Sequence, residues 1–442
     1  MKLDALRSPR ASAVAVLLSS LFFAGKLFWF IDRYAVNILF WDEYDFLRAL
    51  RIHASPWQLF SWIHGPHRMG LGFFFIGPVF AASRWDSRVE AFATGGVFLV
   101  ILALALYLKR RVTGRFSVLD ACIPALILTT AQFEMFIGTL NPAHGPIPLL
   151  LVTVAPFCWL IERRFLRAAL GGALALAAAF TGFALFLVPL LATLFAVDAI
   201  WPEQGGWSRF WDATGAVLSV GALVLFFRDY QFVSAASCFR FPDPHPFRYA
   251  PYAGLVALRP MRLFRMMRGA EVLALGGLVF VVATVTLGSV LTLRRPRTLL
   301  GRAVFLFSGF TLLFAIQAAI GRICLGEATA LSSRYVPYAI PLWIAAYFAL
   351  TWIAEVRPLF GWAVVTFAVS VVLVQAFVHD DRGLIRWFSE GKTRWRACFL
   401  ATGDETGCNR STSFRVYPVD DAPQVVEMRN FLQQGRLNLF KP

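Results

Sequence analysis

Residues 11–31 read ASAVAVLLSSLFFAGKLFWFI, an apolar run whose single charge is Lys26. A helix rises 1.5 Å per residue, so a run of this length crosses the roughly 30 Å hydrocarbon core of a bilayer. Lys2, Arg7 and Arg10 precede it like the basic head of a signal peptide, but the run is long and no small-residue cleavage site stands before Lys26-Leu27-Phe28-Trp29. It reads as an uncleaved anchor. Further apolar runs follow at 89–108, 118–138, 147–161, 213–227, 272–293, 303–320, 336–353 and 359–378. Residues 166–197 are apolar except at Thr181-Gly182, a break that divides them into the arms of a tight helical hairpin. The fold class expected is an all-α polytopic membrane protein with about eleven transmembrane helices, within a range of about 10 to 12.

Composition agrees with this reading. Of 442 residues 58% are hydrophobic and 15% charged, and the mean hydropathy is +0.64. A soluble domain carries about 25% charged residues, so a water-soluble enzyme is excluded. A net charge of +16 with a pI near 10.2 would point to nucleic acid in a soluble protein. Here the basic clusters alternate with the apolar runs: Lys2, Arg7 and Arg10; Lys109, Arg110, Arg111 and Arg115; Arg163, Arg164 and Arg167; Arg294, Arg295, Arg297 and Arg302. That is the positive-inside pattern, and no nucleic-acid partner is expected. The partner is the lipid bilayer.

The alternation places residues 1–10 in the cytoplasm, a multi-span domain over 11–378 with a long extracytoplasmic loop at 32–88, and a small extracytoplasmic tail at 379–442. Within the loop, residues 69–82 are apolar but short and broken by Gly77-Pro78, which suits a re-entrant or interfacial segment. Arg259, Arg262, Arg265 and Arg268 recur every third residue in a loop placed outside. They read as a helix lying at the interface against anionic headgroups or a lipid phosphate, or else as the sign of a miscounted span.

Cys122 and Cys158 fall inside runs and read as small buried hydrophobes. Cys398 and Cys408 flank a short segment of the outside tail and are candidates for a disulfide, which persists on that side. Cys238 and Cys324 also fall outside, and their pairing is not readable from spacing.

The polar residues near the outer face carry the functional signal. Trp41-Asp42-Glu43-Tyr44-Asp45 packs three carboxylates into the loop, where a helix would put Asp42 and Asp45 on one face. Such a carboxylate suits general-base work on a hydroxyl, while the plainer reading is a solvated acidic turn. His64-Gly65-Pro66-His67-Arg68 closes the same loop. Its Gly-Pro disfavours helical metal ligation, and phosphate contact by Arg68 with a histidine suits it better. Gln132 and Glu134 stand near the outer end of the run at 118–138, with Asn141 and His144 just beyond. Lys26 can snorkel toward a lipid phosphate. Ser332-Ser333-Arg334-Tyr335 brings an arginine flanked by hydroxyls to the membrane, suited to an anionic headgroup or to interfacial anchoring. His379-Asp380-Asp381 reads as a solvated exit with the capacity to bind a cation. Asn409-Arg410-Ser411 fits a glycosylation sequon but carries no weight in a chain of bacterial appearance.

Together these patches resemble the GT-C class of integral-membrane glycosyltransferases, which place an acidic motif in a long first outside loop, here Asp42-Glu43. The chain also resembles a set of bacterial multi-span proteins with an acidic Trp-Asp motif followed by His-Asn-Glu-His-Arg. His64, His67 and Arg68 match, and Gly65-Pro66 stands where that set has Asn-Glu. The resemblance implies a GT-C-like bundle in a bacterial inner membrane that moves a hexose or pentose from polyprenyl phosphate to an envelope acceptor. It implies Asp42 as base, Glu43 as its helper, and Asp45, His64, His67, Arg68, Gln132, Glu134, Arg334 and Tyr335 as substrate contacts. No cofactor is called for, and a divalent cation stays open. A lipid-linked sugar flippase and a non-catalytic partner in envelope polysaccharide assembly are the alternatives. Transporter sites favour the bilayer midplane and repeated halves, whereas here the charges gather at one face.

Overall fold

The computed structural model describes residues 8–201, 207–232, 236–262, 270–294, 297–379 and 381–441. It is helical throughout, apart from one two-stranded hairpin. In chain order the helices begin with α1 (Pro9–Tyr34), then α2 (Glu43–Phe46), α3 (Arg48–Arg51) and α4 (Pro56–Ser61) in the first loop. The hairpin of β1 (Ile63–His64) and β2 (His67–Arg68) leads into α5 (Leu71–Ser83) and α6 (Ser87–Thr113). Short pieces follow: α7 (Cys122–Ile127), α8 (Glu134–Ile137), α9 (Pro146–Val154) and α10 (Arg164–Ala179). The remaining bundle comprises α11 (Leu187–Ile200), α12 (Trp207–Phe227), α13 (Tyr249–Leu258), α14 (Ala270–Leu293), α15 (Leu299–Arg322), α16 (Val336–Val356) and α17 (Gly361–Phe377). The tail forms α18 (Arg382–Thr402), α19 (Glu405–Thr412) and α20 (Pro423–Gln434).

Eight helical runs among the described residues are long and apolar enough to cross a membrane, not eleven. The difference lies in the segment from 118 to 180. The run at 118–138 stops after α7 because Thr129 turns extended and its hydroxyl accepts the Ala131 N–H. The run at 147–161 tightens from α9 into a 3-10 turn at Ala155–Leu160, where Pro156 removes a helical donor. The first arm of the hairpin is α10, which ends at Ala179 ahead of the Thr181-Gly182 break. α7 and α9 are largely buried by the longer spans around them, and α10 is buried on one face.

The break at Thr181-Gly182 is a packing device. Gly70 and Gly182 both have positive φ, and a Cβ on Gly70 would lie 2.0 Å from Phe180 O, one on Gly182 1.8 Å from Ala143 O. Only glycine permits that approach. The Thr181 hydroxyl accepts the Leu71 N–H at 3.0 Å, which starts α5. The first loop, the 140–145 turn and the broken helix therefore meet at one point. α5 itself is about 20 Å long by helical rise, too short to span.

Several expected inside charges are spent in buried pairs. Asp198 receives Arg297 at 2.7 Å, Arg302 at 2.9 Å and the Trp159 indole at 2.8 Å. Lys109 meets Asp120 at 3.0 Å, and the Tyr347 hydroxyl donates to the same carboxylate.

Arg259 and Arg262 do not lie on a surface helix. Both are buried: Arg259 pairs with Asp381 at 3.2 Å, and Arg262 donates to Val378 O at 2.7 Å and to Thr130 Oγ1 at 3.1 Å. Each has acceptors within the protein that hold its guanidinium in place. Arg265, Arg268 and Asp380 lie outside the described residues.

The tail packs on the first loop. The Trp41 N–H donates to Val416 O at 2.7 Å, Arg51 meets Glu427 at 2.8 Å, and Lys441 meets Asp86 at 2.9 Å. Asn438, fully buried, bonds Asn37, Trp85 and Ser87. Residues 32–88 and 381–441 thus share one side of the bundle. Cys398 is bonded to Cys408, joining α18 to α19, and Cys238 is bonded to Cys324 beside the end of α15.

Candidate functional site

Gly65-Pro66 forms the two-residue loop of the β1–β2 hairpin, with Gly65 at φ 58°. A positive φ at the first loop residue is what such a turn needs and glycine supplies. The hairpin makes His64 and His67 direct cross-strand partners. Their paths then diverge. His64 leans on Phe46 and brings Nε2 to 3.8 Å from Asp42 Oδ2, while His67 turns inward to face His144, Nε2 to Nε2 at 2.5 Å, against the Phe183 ring.

Asp42, His64, His67, His144 and Phe183 line a cavity of about 190 Å³. A second, of about 430 Å³, holds Trp41, Glu134, Ser332 and Ser333. The two share a wall made of Arg322, Arg334 and Tyr335. Arg334 is fixed by Glu134, whose Oε2 accepts the Ser332 hydroxyl at 2.9 Å, the Arg334 N–H at 3.0 Å and Arg334 Nε at 3.4 Å. A carboxylate at the N-terminal end of α16's run also complements the helix dipole. Asp42, Glu134 and Arg334, from three distant parts of the chain, converge on this joined pair of cavities.

Burial opposes ionisation of Asp42, but the hydrogen bond from His64 and the positive field of His64, Arg334 and Arg322 outweigh it and hold its pKa below the ordinary value. Burial pushes the His67 pKa down to about 3, with the nearby His64 adding to the shift. Burial likewise drives His144 well below the usual imidazole range, helped by His67 and the arginines. At neutral pH the cavity therefore holds an anionic Asp42 beside His64, the neutral imidazoles of His67 and His144, and two guanidinium groups.

Five expected contacts lie elsewhere. Glu43, adjacent to Asp42, points about 100° away around the α2 turn into full burial, where Oε2 accepts the Phe40 N–H at 2.6 Å. Burial raises its pKa to about 8, with Lys392 working in the opposite direction. Asp45 turns to the tail and accepts the Tyr417 hydroxyl at 3.1 Å. Arg68 is buried between the rings of Phe180 and Phe226 and donates to the carbonyls of Ser61, Phe226 and Arg228, so it fastens the end of α12 and does not face the cavity. Gln132 is fully buried and donates to Ile127 O at 2.9 Å. Lys26 donates to Gln375 O and Ala376 O. Tyr335 does line both cavities.

Arg322 is the residue that reading the sequence missed. It is the single charged residue between Ala303 and Leu325, the last residue of α15, and it stands just past the point where the apolar run was ended. That isolation was the available signal. Among the described residues, no group of three or more His, Cys, Asp or Glu is placed to hold a metal ion.

The fold and the site define a multi-pass helical membrane protein with a polar, arginine-walled cavity at the end of the bundle that carries the first loop and the tail. No family model, curated protein or solved structure matches the chain.

Proposed function

We propose that this protein is a GT-C-like glycosyltransferase of a bacterial inner membrane, which moves a sugar from polyprenyl phosphate to an envelope acceptor at the extracytoplasmic face. The observation that carries the proposal is an ionised Asp42 and two guanidinium groups, Arg322 and Arg334, on one cavity. Asp42 accepts the proton of the attacking hydroxyl as its oxygen bonds the anomeric carbon. The bond from that carbon to the phosphate oxygen breaks, and the polyprenyl phosphate leaves with the electron pair. Arg322 and Arg334 stabilise the charge on the departing phosphate, an effect that is strongest where water is scarce. Glu134 positions Arg334, His64 orients Asp42, and the aromatic side chains Phe183, Phe232 and Phe314 offer apolar contact to sugar or isoprenoid carbon. Both disulfides lie toward the end that carries Asp42, which supports the extracytoplasmic assignment because disulfides persist there.

The test uses purified protein in detergent with a radiolabelled polyprenyl-phosphate sugar. Transfer or hydrolysis by the wild type, lost in Asp42→Asn while the protein still inserts and stays monodisperse, supports the enzyme. Translocation in vesicles without either reaction indicates a flippase, and full activity of Asp42→Asn removes Asp42 from the mechanism.

A further inference from the structure

A third cavity, of about 330 Å³, opens between the outer half of α1 and the start of α18. Its floor is cationic and rigid. Lys26 donates to Gln375 O and Ala376 O, and Arg262 donates to Val378 O, so both charges rest on the carbonyl end of α17, the negative end of its dipole. Lys26 uses two acceptors and has three donors, which leaves one for a ligand. Arg382 and Arg386 reach in from α18, one helical turn apart, with His379 beside them. Aromatic walls come from Trp29, Phe30 and Tyr34.

Three features of this cluster favour an anion, which would meet Arg382 and Arg386 at the exposed mouth of the cavity. No carboxylate lines the cavity among the described residues. Arg382 and Arg386 are like charges at i and i+4, which repel. Arg382 also stands in the first turn of α18, where the helix dipole disfavours a cation. The carboxylate that ordinarily relieves such an end, that of Asp381 at the N-cap, makes no cap hydrogen bond and is turned to Arg259 at 3.2 Å.

The cavity is also placed where lipid arrives. Trp29, on its wall, is 61% exposed, and Phe22 on the preceding part of α1 and Phe377 at the end of α17 are exposed as well. Trp29 and Tyr34 meet edge to face, the amphipathic aromatic pair that marks the headgroup level of a bilayer.

We propose that this cavity binds the phosphate headgroup of an anionic phospholipid, with Lys26 and Arg262 as the fixed floor and Arg382 and Arg386 as the closing arms. The site shares no lining residue with the Asp42 cavity, although Arg262 also lines the cavity of about 430 Å³ next to it, and it does not depend on the transferase reading. A resident lipid there neutralises the junction of α17 and α18, through which the tail is attached to the bundle.

The test uses the full-length protein, delipidated and placed in nanodiscs of phosphatidylcholine with or without phosphatidylglycerol, with retained lipid counted by native mass spectrometry. Wild type is expected to retain phosphatidylglycerol in preference to phosphatidylcholine. At about a factor of five per lost cation near an anionic headgroup, R382Q/R386Q weakens retention on the order of thirtyfold. R382K/R386K keeps most of it, and the control R394Q/R410Q, elsewhere on the tail, keeps all of it. Equal retention by R382Q/R386Q and wild type overturns the proposal. So does displacement of the lipid by inorganic phosphate at matched concentration, which would make the ligand a soluble anion.

Discussion

Glu134 holds Arg334 twice, through its backbone N–H at 3.0 Å and its side-chain Nε at 3.4 Å. A carboxylate of α8 thereby fixes both the start of α16's run and the direction of the guanidinium that walls the cavity. Glu134 is a positioning residue. Glu134→Gln keeps the shape but removes the charge, and a misplacement of about 1 Å can cost on the order of a hundredfold in rate. The expected loss in transfer is tenfold to a hundredfold in kcat with KM little changed. Loss of binding with kcat intact would contradict the positioning role.

Asp42 and Glu43 are neighbours with different surroundings, and their isosteric amides should separate. With Asp42 as the base of the proposed transfer, Asp42→Asn is expected to abolish it. Glu43→Gln, in a residue that lines neither cavity, leaves transfer within a fewfold of wild type. Because its pKa is raised to about 8 by burial, native Glu43 keeps a proton that the unfolded chain releases above pH 4.5, so stability falls as pH rises from there toward 8. Thermal unfolding in detergent at pH 8 should show Glu43→Gln to be no less stable than wild type.

The pH dependence of the histidines runs the other way. Below pH 6.5 an unfolded His67 takes up a proton, whereas burial keeps the folded residue neutral until about pH 3. Stability therefore declines as pH drops through that window, by at most about 1.4 kcal/mol per pH unit for one imidazole. Tm measured from pH 7 to pH 5 should fall less steeply in His67→Phe. Transfer should show no acid limb over the same range, since Asp42 stays ionised down to values below the ordinary 3.8.

Arg322 and Arg68 give opposite signatures. Arg322→Gln removes one of the two cavity guanidiniums and should lower kcat/KM on the order of a hundredfold to a thousandfold, the scale of a lost charge-stabilising donor, with Tm unchanged. Arg68→Gln leaves the cavity as it is but strips three carbonyls of a buried donor, and should destabilise by about 2–4 kcal/mol. Paired activity and unfolding measurements on both variants check this.

At the opposite charge cluster, Asp198→Asn leaves Arg297 and Arg302 buried without their carboxylate. Breaking one side of a buried ion network costs about 3–5 kcal/mol. A drop in Tm and in membrane yield is expected, with residual transfer per folded molecule unchanged.

The long apolar runs were legible because hydrocarbon thickness sets a length that composition reveals. Asp42 and Arg334 were legible because charge is scarce near the outer face. What sequence could not supply was direction and partner. Glu43 differs from Asp42 by one step around a helix, which only the α2 backbone decides. Arg68 looked like a phosphate ligand until the carbonyls of Phe226 and Arg228 came within its reach. Thr129 ended a span through a local hydroxyl bond that hydropathy does not register. Arg259 and Arg262 looked like a surface stripe because their acceptors, Asp381 and Val378, come from a different segment.

The bond from Trp41 to Val416 has a consequence for biosynthesis. The loop bearing Asp42 emerges from the ribosome early, yet the strand of backbone that braces it, with Tyr417, Glu427 and Asn438, emerges only after every span has been made. A nascent chain threaded as far as α17 has its helices but an unbraced first loop. The first loop thus reaches its packed form only once synthesis has passed beyond the membrane domain, and a partly translated copy carries that loop without its brace.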